Sequence, residues 1–161
     1  MDLHPILVHF PIALLTIYAL FEICSFPRLL RLPYWWTLKA VFVILGSLTS
    51  MVAYFTGSLI SKKDLGTLRP LVEMHSAFAT GTALVFGMVA LSYLFVLLKK
   101  ENILDGVHAR MAERLQKPHI LIPLAMIGLL LVTITGALGG AIVYGPDADP
   151  IVSFIYHLLI Q

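Results

Sequence analysis

The chain has 161 residues, 59% of them hydrophobic and only 12% charged, with a formal net charge of +2 and a mean hydropathy of +0.92. Soluble domains carry about 25% charged residues, so the composition excludes a water-soluble protein, and the scattered basic clusters give no nucleic-acid surface. The single cysteine, Cys24, excludes an internal disulfide and a cysteine-based zinc site, and no C-x-x-C-H is present for covalent haem attachment.

Crossing the hydrocarbon core takes about 20 apolar residues. Four stretches reach that length: Leu3 to Cys24, Trp36 to Leu59, Leu71 to Leu98 and Ile120 to Tyr144. No β-barrel alternation is visible. The expected fold is an all-α integral membrane protein, a four-helix transmembrane bundle forming one domain over residues 1–161.

The first stretch opens Asp2-Leu-His-Pro-Ile-Leu-Val-His-Phe-Pro, which puts His4 and His9 beside Pro5 and Pro11. It lacks the basic leader and cleavage site of a signal peptide, so it reads as a permanent span. A histidine just inside a bilayer is costly without a partner and marks function by default. Five residues turn a helix by about 140°, so His4 and His9 do not share a face unless the prolines bend the helix locally. Glu22, near the other end of this span, is expected to reach the interface as a boundary residue.

Arg28, Arg31 and Lys39 mark the first connection, and Lys99, Lys100, Arg110, Arg114 and Lys117 the third. The positive-inside rule therefore places these connections inside and both termini outside, against the weaker pull of Lys62, Lys63 and Arg69 in the second. Tyr34, Trp35 and Trp36 read as an aromatic belt. The third connection, about residues 101–117, reads as an inner surface helix with Leu104, Val107, Met111 and Leu115 on one face.

Gly46 and Ser50, Ala53 and Gly57, Ala83 and Gly87, and Gly136 and Gly140 have the small-xxx-small spacing of helix packing faces. After Tyr144 the chain turns through Gly-Pro-Asp-Ala-Asp-Pro. Asp149 is the expected cap and Pro150 the first residue of a short interfacial helix, about 150–160.

Six histidines are present, His4, His9, His75, His108, His119 and His157. The first and third spans run in the same direction, and His9 and His75 lie at equal depth in them. Two imidazoles facing each other supply the axial ligands of a six-coordinate b-type haem. Ala13 and Ala79 follow the two histidines by four residues, and Ala53 and Gly57 with Gly136, Gly139 and Gly140 keep side chains small at that depth. These glycines are expected to admit the porphyrin edge, although plain close packing would use the same room. His4 is expected to cap the helix or meet headgroups, with ligation as the lesser role, and His157 to lie at the interface. His119 has no mate at its depth, so a second haem is not expected. Glu73 reads as a solvated acid; otherwise it completes a mononuclear metal site with His4, His9 and His75 or accepts a hydrogen bond from a ligating imidazole.

The motif His-Pro-x-x-Val-His-Phe-Pro-Ile-Ala-Leu at His4 to Leu14 resembles the signature of a family of uncharacterised bacterial membrane proteins, domain of unknown function 2231. The likeness continues to His75 and to Gly-x-Leu-Gly-Gly-x-x-Val-Tyr at Gly136 to Tyr144, while the stretch after Gly145 departs from it. The resemblance implies a bacterial inner-membrane protein, and its layout is similar to that of membrane cytochromes b.

Three functions follow as expectations. The first is a haem b-binding electron-transfer protein with His9 and His75 as ligands. The second is a non-catalytic subunit of a larger respiratory or photosynthetic complex, without cofactor. The third is a metal-binding or transport element built on the same histidines and Glu73, disfavoured because the inner halves of the spans show little beyond Thr16, Ser47 and Thr49. The expected partners are the lipid bilayer and other proteins of a membrane redox complex. No nucleophile with a base and an orienting group is apparent, so the chain reads as a carrier or subunit rather than a hydrolase.

Overall fold

The computed structural model describes residues 4–24, 27–60 and 66–160, so Lys62 and Lys63 lie outside it; within these ranges the side chains of His4, Pro5, Pro27, Arg28, Leu59, Ile60 and Thr67 also fall outside the description. Among these residues seven α-helices follow in order: α1 (His4–Ile23), α2 (Pro27–Leu30), α3 (Trp35–Ile60), α4 (Arg69–Lys100), α5 (Val107–Leu115), α6 (Pro118–Tyr144) and α7 (Pro150–Ile160). Among the described residues, α1, α3, α4 and α6 are long and apolar enough to cross a membrane. They are the four expected spans. With no water in the hydrocarbon core, helices satisfy every backbone group internally.

The ends of these helices have local causes. Asn102, at φ 57°, stops α4 in the left-handed region that short polar side chains tolerate. Gly145, at φ 93°, ends α6, and its N–H donates to the Ala141 carbonyl at 3.0 Å. Asp149 caps α7 as its sequence suggested: Oδ1 accepts from the N–H groups of Ile151 at 2.8 Å and Val152 at 3.0 Å. Pro11 and Pro123 lie inside α1 and α6, an interruption that transmembrane helices tolerate.

The spans form a ring in which α1 packs on α3 and α6, and α4 packs on the same two helices from the other side. α1 and α4 therefore face each other across the bundle axis. The axis is filled by Leu15, Tyr18, Phe86, Val89 and Tyr93, all at most 1% exposed. Tyr18 from α1 meets Phe86 and Tyr93 of α4 edge-on, with ring centroids 6.1 and 6.0 Å apart. The apolar side chains left exposed, such as Leu45, Leu48, Met51, Leu84, Leu91 and Leu130, face lipid.

Small residues set the approach of the helices. A methyl group at Gly46 would lie 2.6 Å from Leu15 Cδ2, and one at Gly128 would lie 2.6 Å from Phe86 Cζ. Gly87 has no neighbour within 4 Å of that position, so it is no packing contact.

Two outer elements complete the fold. α7 lays Val152 and Ile155 against Leu71, Ala137, Leu138 and Ala141. The expected apolar face of α5 is divided differently. Ala109 and Ala112, at 0% and 3% exposure, pack α5 against α4, and Val107 and Met111 stay outside. Alanine permits the closer approach, so the small side of the helix takes the protein contact.

Gly128→Ala is expected to lower stability by about 1–3 kcal/mol, because the fully buried Phe86 ring must move. Gly87→Ala is expected to be neutral or stabilising by up to roughly 1 kcal/mol through helix propensity. Thermal unfolding of the two variants in one detergent checks the contrast.

Candidate functional site

Polar side chains inside the bundle collect at two levels. The upper one is built on α4, whose inward stripe runs Leu71, His75, Phe78, Thr82, Phe86, Val89, Tyr93, with all of these buried or half-buried. The steps of three and four residues keep these side chains on one face. His75 therefore points toward α6. Its Nδ1 lies 3.0 Å from the Thr135 carbonyl oxygen. A carbonyl only accepts, so Nδ1 carries the proton, and in the neutral ring the unshared pair sits on Nε2.

Gly139 makes this approach feasible. In the helical pattern its N–H bonds the same Thr135 carbonyl, and a side chain there would meet the incoming ring. A Cβ at Gly139 would lie 3.3 Å from His75 Cε1 and 3.6 Å from Nδ1. Below His75, Thr82 Oγ1 and Thr135 Oγ1 are 3.1 Å apart, and each donates to the carbonyl four residues back in its own helix, Phe78 O at 2.9 Å and Leu131 O at 2.8 Å.

The remaining sequence-marked residues are distributed otherwise. α1 turns Tyr18 toward α4, and His9, nine residues earlier, lies about 180° round a regular helix from it. Its side chain is exposed, as is that of Ala13. His9 and His75 are thus not brought face to face. Gly136 looks toward Ile12 Cδ1 at 3.8 Å and Gly140 toward Val152 Cγ2 at 3.2 Å. The three glycines serve three different contacts, with α1, with the His75 ring and with α7.

Glu73 is exposed and lies 3.5 Å from Arg69 Nε one turn away, in keeping with a solvated acid. His157 lies 4.0 Å from Asp147 at the surface, and His108 and His119 are exposed. The His4 side chain lies outside the described residues. Among the described residues, no three of His, Cys, Asp and Glu stand close enough to hold a metal ion together.

The lower level is the one that sequence reasoning missed. Glu22 is 4% exposed and Lys39 8% exposed. Lys39 Nζ stands 3.0 Å from Glu22 Oε1 and 2.8 Å from Oε2. Tyr93 donates its hydroxyl to Glu22 Oε2 at 3.2 Å. α1, α3 and α4 are thereby tied at one point. Lys39 belongs to α3 rather than to the connection, and Glu22, in the last turn of α1, points into the bundle rather than outward. Each neutralises the other inside the bundle.

Aromatic and amide groups surround the pair. Trp36 lies 5.3 Å from Tyr93 between ring centroids, donates Nε1 to Gln116 Oε1 at 2.9 Å, and carries Lys100 Nζ 3.6 Å above its ring. A signal for the pair was present in the spacing. Leu15, Tyr18 and Glu22 follow one heptad stripe on α1, and Trp36, Lys39, Val43 and Gly46 follow another on α3.

Lys39→Met is expected to cost about 3–5 kcal/mol, because it strands a buried carboxylate. Glu22→Gln combined with Lys39→Met is expected to regain most of that loss. Denaturant titration of both variants in detergent checks the pair; equal losses would contradict it.

No curated protein and no solved structure matches the chain. Residues 1–147 match the family described as "Predicted membrane protein (DUF2231)". With that match over nearly all of the bundle, and with four apolar spans in the fold, the chain is a multi-pass membrane protein and belongs to the DUF2231 family.

Proposed function

We propose that the chain is a membrane-embedded electron-transfer protein that binds one haem b through His75. What supports this reading is a single arrangement: an inward imidazole whose Nδ1–H is held by the Thr135 carbonyl, the tautomer that carries the neutral ring's lone pair on Nε2. Ligating histidines nearly always donate their other ring N–H to a carbonyl or carboxylate in this way. Gly139 gives the ring its seat. Haem bound there would supply one-electron chemistry, with the protein tuning it through axial ligand and burial. The protein is read as lying in the bacterial inner membrane with both termini outside, following its positive charges.

The arrangement supports one ligand only. His9 sits on the exposed side of α1, and a six-coordinate site built on both histidines requires it to turn inward. Protein from haem-replete cells is expected to show a Soret band and a reduced-minus-oxidised α-band. His75→Ala is expected to lose both. His9→Ala is expected to convert low-spin haem to high-spin if His9 is the second ligand, and to leave the spectrum unchanged if it is not. Colourless wild-type protein would overturn the reading.

A second reading, a cofactor-free subunit of a larger respiratory or photosynthetic complex, is favoured by the glycines. The space at Gly139 is filled by His75 and that at Gly140 by Val152, while Gly136 faces Ile12. That reading predicts colourless protein that co-purifies with large membrane partners regardless of His75→Ala.

A further inference from the structure

α5 begins at Val107, seven residues after α4, the third apolar span, ends at Lys100. One side of α5 is committed to protein through Ala109 and Ala112. The opposite side carries Val107 and Met111, 55% and 59% exposed, and Ile103 in the preceding turn is 70% exposed. Arg110 and Arg114 lie beside them, one turn apart and exposed. Glu113 is the sole acid of α5, and Lys99 holds it at 2.7 Å. Among the described residues, neither arginine has an ion-pair partner.

We propose that this outer side of α5 is a docking surface for anionic glycerophospholipid. Val107, Met111 and Ile103 enter the boundary between headgroups and acyl chains, while Arg110 and Arg114 take the phosphates. An apolar stripe flanked by cations is what an interfacial helix uses to bind negatively charged lipid. Guanidinium groups suit the task because their planar fork donates two hydrogen bonds to one phosphate. The Lys99–Glu113 pair neutralises the one negative charge on α5 itself, and the exposed Glu101 and Asp105 belong to the segment before it. The surface is independent of any haem, since none of its residues belongs to the His75 level.

The chain carries its own reporter. Trp36 is hydrogen-bonded to Gln116, the residue that caps α5, so its fluorescence senses lipid at this end. The full chain is reconstituted in phosphatidylcholine bilayers containing either brominated phosphatidylglycerol or brominated phosphatidylcholine. The anionic quencher is expected to act more strongly at equal mole fraction. Its relative affinity is expected to fall on the order of tenfold in Arg110→Gln/Arg114→Gln and to persist in Arg110→Lys/Arg114→Lys. Both positions are exposed, and unchanged helical circular dichroism verifies the fold. Equal quenching by the two lipids in the wild type, or an anionic preference untouched in the glutamine variant, would overturn the proposal.

Discussion

The buried pair of Glu22 and Lys39 fixes the bundle at one end, and the packing above it follows. Neither charge reaches water, so each tolerates its place only while the other is within hydrogen-bond distance. This condition locks the register of α1 against α3, and the Tyr93 hydroxyl extends the lock to α4. Once α1 and α4 are held at that level, Tyr18 has to meet Tyr93 and Phe86 across the axis. Phe86 in turn occupies the notch at Gly128 of α6. The same stripe of α4 then carries Thr82 and His75 upward to their contacts with Thr135.

The bundle thus has two polar levels separated by a dry apolar layer. Phe86, Leu15, Val89 and Val132, none more than 3% exposed, lie between the Glu22 pair and the threonine pair. The expectation that the inner halves of the spans hold little polar chemistry fails at Glu22, Lys39 and Tyr93. These groups satisfy one another, however, and such closure suits a structural lock better than a conducting path.

The architecture was legible because the bilayer imposes length. Four runs of about 20 apolar residues are hard to mistake, and the Asp149-Pro150 pair announces the start of α7 by the chemistry of a helix cap. Azimuth was harder to read than depth. His9 and His75 were matched because they enter their spans at the same level, yet depth says nothing about which way a side chain faces. Following the heptad stripes through Tyr18 on α1 and Phe86 on α4 puts His75 inside and His9 outside. Glu22 and Lys39 were misplaced because a charge near the end of a span resembles an interfacial one until its stripe is traced. On α5, apolarity alone indicated a face, but the close contact went to alanines.

Everything proposed for His75 depends on which ring nitrogen carries the proton. The Thr135 carbonyl assigns it to Nδ1, and the functional reading needs the lone pair on Nε2. Nitrogen-15 NMR of the histidine side chains, with His75 assigned by comparison with His75→Gln, measures this directly in cofactor-free protein. The account predicts a protonated Nδ1 and an unprotonated Nε2 for the neutral ring. A ring protonated at Nε2 would contradict it.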